Sequence, residues 1–99
     1  MEQVAKSILQ ADKECCFFCG SHQWLEEHHI FGGNGKRKMS EKYGLKVYLC
    51  HYCHNEPPNG VHHNKDVRLH LQRLAQRKLM ETCGLTEDDF REIFGKNYL

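Results

Sequence analysis

The chain has no run of about 18 or more apolar residues, the length a membrane-spanning helix needs, so no transmembrane helix is expected. Its first residues, Met1-Glu2-Gln3-Val4-Ala5-Lys6, lack the apolar stretch of a secretory signal, and an intracellular protein is the expectation. There is no internal repeat beyond two short cysteine pairs, and no low-complexity tract, so repeat arrays and disordered linkers are excluded. Apolar residues are scarce, at 39% of 99. One domain of this size, covering residues 1–99, buries limited apolar surface, and a structural metal would contribute substantially to its stability. Net charge is nearly absent, at +1 with neutral histidines, so charge alone does not predict nucleic-acid binding. Its distribution is more informative. Lys36-Arg37-Lys38 form a basic loop tip after Gly32-Gly33-Asn34-Gly35. Arg68, Arg73, Arg77 and Lys78 decorate a later helix, and Glu87-Asp88-Asp89 gather the acid elsewhere.

Cysteine and histidine are abundant, with six and eight residues. Cys16-Phe17-Phe18-Cys19 and Cys50-His51-Tyr52-Cys53 each have the two-residue gap of a zinc knuckle. Together they can wrap one zinc ion tetrahedrally. That spacing in a histidine-rich chain argues for zinc in a reducing compartment over disulfides. A closed four-sulfur site has no open position for substrate, so this zinc would be structural. Cys15 can compete with Cys16 as a ligand but has the wrong spacing. Cys83, beside Gly84, is expected to be a small buried hydrophobe.

A helix is expected over 2–12 and a strand from Trp24 to Phe31. A helical turn is expected from Lys38 to Tyr43, stopped by Gly44, and a second strand from Leu45 to Leu49. Pro57-Pro58-Asn59-Gly60 breaks any helix begun at Cys53. A long helix from Asn64 or Lys65 to Thr82 would bury Val67, Leu71, Leu74, Ala75 and Leu79 and end at Gly84. Thr86 and Asp89 form a capping box for a last helix, 86–95, that turns Phe90, Ile93 and Phe94 inward. The fold class is α+β, with its core at 15–82 and flanking helices. Trp24, Tyr43 and Tyr48 can stack on bases, but core packing suits them better.

Between the knuckles lies Glu26-Glu27-His28-His29-Ile30. Adjacent strand residues face opposite ways, so the two histidines divide their roles. One imidazole would bind a divalent ion, and its neighbour would take a proton from water. Phosphodiester hydrolysis needs both functions, and histidine has the right unperturbed pKa for the second. His54, immobilised beside a zinc cysteine, is the best second ligand. The turn after it can fold His62 or His63 back beside it, and His62 ranks first. His22, His51 and His70 have weaker cases; His51 would meet a zinc sulfur or solvent, and His70 the helix surface. The competing reading is a non-catalytic zinc-ribbon-like module that binds nucleic acid or protein.

Cys16-x2-Cys19, Glu27-His28-His29-Ile30 and Leu49-Cys50-x2-Cys53-His54-Asn55 resemble the HNH branch of the His-Me finger (ββα-metal) endonucleases. Gly60-Val61-His62 resembles small phage-type members, including recombination-enhancement nucleases. The likeness covers about residues 15–65. It implies a zinc-stabilised ββα-metal finger with His28 and His54 as catalytic-metal ligands and His29 as general base. It further implies Mg²⁺ or a similar ion besides structural Zn²⁺, and a DNA substrate gripped by Lys36, Arg37 and Lys38. Work on recombining or replicating DNA in a bacterial host's cytoplasm would follow, beside phage or host recombination and replication proteins. The sequence departs from the pattern in two places. Tyr43-Gly44-Leu45-Lys46-Val47 stands where an asparagine normally orients the base; a backbone carbonyl, Asn34, Asn55 or Asn64 would have to substitute. Pro57-Pro58 also shortens the last helix of the unit. A degenerate nuclease fold acting as inhibitor or adaptor is a further reading.

Overall fold

The structure, a computed structural model, describes residues 7–10, 14–32, 35–58 and 60–99. Among these residues two antiparallel strands and four helices make a small α+β fold. The order is β1 (Leu25–His29), α1 (Lys36–Tyr43), β2 (Lys46–Cys50), α2 (His51–Asn55), α3 (Lys65–Cys83) and α4 (Glu87–Phe94). Among the described residues no helix is long and apolar enough to cross a membrane.

The strands pair from Leu25 opposite Cys50 to His29 opposite Lys46. Alternation gives the sheet two different faces. Val47 and Leu49 of β2 are fully buried and join Ile30, Phe31, Leu45, Val61, Leu71, Ala75, Leu79, Phe90 and Phe94 in one core. Phe31 is the hub on the α4 side, with ring centroids 5.5 Å from Phe90 and 4.8 Å from Phe94. The expected stripe of α3 holds at Leu71, Ala75 and Leu79, while Val67 and Leu74 are only half-buried. Gln76 is also fully buried. Its amide is satisfied by the chain end, donating to Asn97 Oδ1 at 2.6 Å and accepting from Tyr98 N at 2.8 Å.

Several boundaries differ from the sequence expectation for identifiable reasons. The expected helix 2–12 falls mostly outside the described residues. Within it, 7–10 are not helical. The Gln10 side chain is spent on neighbouring backbone instead, accepting from Tyr48 N at 2.7 Å and donating to Cys15 O at 2.6 Å. The turn expected at Lys38 begins at Lys36, so Lys36, Arg37 and Lys38 are not a loop tip but the first turn of α1. Gly44 ends that helix as expected, at φ 72°, where a side chain would be strained. Cys83 is exposed rather than buried, because the inward stripe of α3 has already passed at Leu79 and Met80. Trp24 is exposed as well, at 67%, rather than packed in the core. It precedes β1 at φ 53° and rests its indole against Tyr52 at 6.0 Å.

Asn64 caps α3 by accepting from Asp66 N and Val67 N. The capping box of α4 is complete: Thr86 Oγ1 accepts from Asp89 N at 3.1 Å, and Asp89 Oδ2 accepts from Thr86 N at 3.0 Å. Thr86→Ala is expected to cost about 1 kcal/mol, read as a lowered urea midpoint with unchanged slope.

Candidate functional site

Cys16 and Cys19 lie in the loop before β1, Cys50 ends β2, and Cys53 sits in α2. Their four sulfurs all lie within 4.8 Å of one another. Zinc–sulfur bonds of about 2.3 Å set at tetrahedral angles would space sulfurs about 3.8 Å apart. Cys19 Sγ and Cys50 Sγ stand 3.5 Å apart. The Cys19 amide points at Cys16 Sγ, 3.5 Å away. Burial raises the Cys16 thiol, but the amides of Cys19, Cys50 and Phe18 outweigh it and bring it down to about 6. Burial and then the neighbouring thiols of Cys50, Cys16 and Cys19 push Cys53 well above its ordinary range. A divalent cation is the counter-charge that lets crowded thiols ionise together. The cluster is therefore compatible with a structural zinc.

A second cluster adjoins the first along the chain, since α2 supplies Cys53 to one and the next residue, His54, to the other. His28 of β1, His54 of α2 and His62 of the following turn bring ring nitrogens within 4.8 Å of one another. Ring centroids are 5.0 Å apart for His28 and His54, 5.1 Å for His28 and His62, and 4.6 Å for His54 and His62. The chain returns to α2 through backbone bonds from Gly60 N to Glu56 O at 2.7 Å, Val61 N to Cys53 O at 2.8 Å and His62 N to His54 O at 3.2 Å. The approach is close enough that a Cβ on Gly60 would lie 2.7 Å from Glu56 backbone atoms, so only glycine fits.

Polarity in this cluster is unusual. His28 is buried, and its Nε2 has no hydrogen-bond partner among the described residues. Burial first, then the fields of His54, His62 and His29, hold its imidazole down to about 3, so it is neutral and has one ring nitrogen able to act as a ligand. Burial and the nearby His54 and Arg68 also lower His62. His54 Nδ1 lies 2.7 Å from Glu26 Oε1. A carboxylate only accepts, so Nδ1 carries the proton and the Nε2 lone pair is left facing His62 Nε2 at 2.9 Å. Metal–nitrogen bonds of about 2.0–2.1 Å would separate two ligand nitrogens by about 3.0–3.4 Å. Carboxylate, imidazole and ion in line is the usual way a histidine ligand is oriented. An orphaned buried ring nitrogen beside two more imidazoles fits a divalent ion. The all-nitrogen donor set suits Co²⁺, Ni²⁺ or Zn²⁺, whereas Mg²⁺ and Mn²⁺ favour oxygen ligands and fit poorly.

His29 faces the opposite side of the sheet. Its Nε2 lies 2.6 Å from Glu41 Oε2 of α1 and 3.5 Å from Glu27 Oε1. Lys46 Nζ, from the residue opposite in register, lies 2.8 Å from Glu41 Oε1 and 3.6 Å from Glu27 Oε2. Glu27, His29 and Glu41 are close enough to hold a metal ion, but the Lys46 ammonium already lies against both carboxylates and offsets one of their two charges. A surface cavity of about 450 Å³ is lined by His29, Glu27, Glu41, Gly35, Arg37 and Lys38. Lys46, and less strongly His29, hold the Glu41 carboxyl below its usual range. The stability this adds is present above the unfolded value of 4.5 and is lost as pH falls through the lower folded value. Urea midpoints taken at neutral pH and below 4.5 are expected to fall further for wild type than for Glu41→Gln.

The expected ion set, His28, His54 and His62, is thus brought together, and His63 is left exposed. His51 is partly open to solvent, as one of the two expectations had it, and also bridges Glu26 at 3.4 Å and Glu56 at 2.9 Å. His70 is exposed on α3, as expected. Of the asparagines considered as partners for His29, Asn34 lies outside the described residues. Asn55 donates to Glu26 Oε1 at 3.2 Å, and Asn64 caps α3. Arg68 and Arg73 spend donors on the carbonyls of Val61 and Tyr98. Sequence reasoning missed Glu26 and Glu41. Glu26 was findable, because alternation puts it on the His28 face.

No protein-family model, curated protein or solved structure matches this chain.

Proposed function

We propose that this chain is a metal-dependent endonuclease of the HNH kind, hydrolysing phosphodiester bonds in DNA. The observation that carries the reading is the separation of two clusters: four thiols closed on themselves, and three imidazoles of which one has a buried ring nitrogen without a partner among the described residues. A ββα-metal finger would correspond to β1, β2 and the short α2.

In this reading His28, His54 and His62 hold the ion, and Glu26 orients His54. When bound, the ion stabilises negative charge developing on the phosphate and the leaving oxygen. His29 lies on the other face of β1 from the ion but is the strand's last residue, so in this reading the scissile phosphate spans the strand end, where His29 accepts a proton from the attacking water. The water oxygen bonds to phosphorus, the bond to the leaving sugar oxygen breaks, and that oxygen takes a proton from solvent. Arg37 and Lys38 share a cavity with His29, where they are placed to hold a strand's phosphates. They also stand with Lys36 at the start of α1, which has no side-chain cap. Positive charge is disfavoured there by the helix dipole, and a bound phosphate would relieve it.

Plasmid nicking by the zinc-loaded protein tests the reading. Cleavage is expected with Ni²⁺ or Co²⁺ and weakly, if at all, with Mg²⁺. His29→Ala should lower the rate by about 10²–10⁴ while leaving ion binding intact. No cleavage with any of these ions would leave a zinc module that binds without cutting.

A further inference from the structure

Among the described residues the base proposed above has no asparagine to aim it, yet its ring is not loose. Resting on that nuclease reading, we infer that Glu41, anchored by Lys46, is the positioning residue that fixes the tautomer and orientation of His29.

His29 and Lys46 are direct partners in the strand register. Glu41 reaches them both from α1, the helix that joins the two strands. One carboxylate oxygen meets His29 Nε2 at 2.6 Å, and the other meets Lys46 Nζ at 2.8 Å. Lys46 is 5% exposed, so its ammonium has little freedom to leave. Glu27 is the weaker competitor, at 3.5 Å from His29 and with an oxygen already accepting from Tyr48 Oη. A carboxylate only accepts, so Nε2 carries the hydrogen and the basic lone pair sits on Nδ1. Nδ1 is therefore the atom that takes the water's proton. A conformation in which the ring turned over would lose the Glu41 bond and leave the carboxylate with Lys46 alone.

The competing role for Glu41 is as counter-ion to Lys46, with His29 a bystander. Two substitutions in the full zinc-loaded chain separate these. Glu41→Gln keeps an oxygen that can accept from Nε2–H but removes the charge. Glu41→Ala removes both. The ring ¹⁵N shifts of His29, assigned by their loss in His29→Asn and recorded at mildly alkaline pH, report the tautomer without any substrate. Wild type and Glu41→Gln are expected to show the Nε2–H form, and Glu41→Ala a mixture of tautomers. In nicking assays Glu41→Ala should lose about 10- to 100-fold in kcat with KM unchanged, and Glu41→Gln should recover most of it. An unchanged tautomer in Glu41→Ala overturns the proposal. So does a Glu41→Gln ring as disordered as that of Glu41→Ala, because then only the charge on Lys46 mattered. If wild type does not nick DNA at all, the nuclease reading fails by itself, and the tautomer measurement still decides what Glu41 does.

Discussion

Chelation of the thiol-bound metal is expected to unfold the chain, and Cys53→Ser to do so without a chelator. The domain is short of apolar residues, and its sheet has only two strands. A two-stranded sheet is marginal without further support. The sulfur cluster joins the loop before β1 to the end of β2 and to α2, so it closes the sheet at the edge opposite the α1 connection. Structural zinc sites have apparent binding energies of about 10–16 kcal/mol, against a net stability of about 5–15 kcal/mol for a typical domain. Losing the site therefore removes as much free energy as the fold has to spare. Far-UV circular dichroism and thermal melts before and after chelation are the measurements. Cys83→Ser is the control, since Cys83 is exposed at the end of α3, and should stay within about 0.5 kcal/mol of wild type. A Cys53→Ser protein that melts like the parent would show that the sulfurs stabilise nothing.

The second large effect concerns His28, where two observables should move in opposite directions. His28→Leu is expected to weaken binding of a second ion, Co²⁺ or Ni²⁺, by at least about 100-fold. The same substitution should leave the zinc-loaded, otherwise ion-free protein as stable as wild type or more so. The reason is the buried Nε2 without a partner. Such an atom costs about 1–3 kcal/mol in lost hydration, and an isobutyl side chain of similar size carries no such cost. A histidine kept for packing would give the reverse: a lower melting temperature and unaltered ion binding. Titration calorimetry on zinc-loaded protein measures the first quantity and thermal melts the second. His70→Ala, on the exposed face of α3, should change neither.

The three imidazoles were legible in the sequence because covalent spacing did most of the placing. Once Cys50 and Cys53 are fixed by one cluster, His54 is fixed by adjacency. Gly60 then lets the chain fold back tightly enough for His62 to meet it. The helix caps at Asn64 and Thr86 were equally local and equally readable. What the residues did not announce depends on contacts between segments distant in sequence. Glu41 could be assigned only once α1 was known to lie against the His29 face of the sheet. Its one advance signal was a lysine, Lys46, at a strand position that proves buried and so needs a counter-charge. Trp24 is apolar enough for a core, but it sits where the chain turns into β1, and its side chain is directed outward. Cys83 was judged by its composition, whereas the phase of α3 decided its exposure.

Cys53 and His54 are neighbours on a helix only five residues long. Whatever frays that single turn dismantles the thiol cluster and the imidazole cluster in one stroke. Under the nuclease reading proposed above, a copy that has not captured its first ion would therefore be unable to cut, and zinc supply would gate the proposed activity.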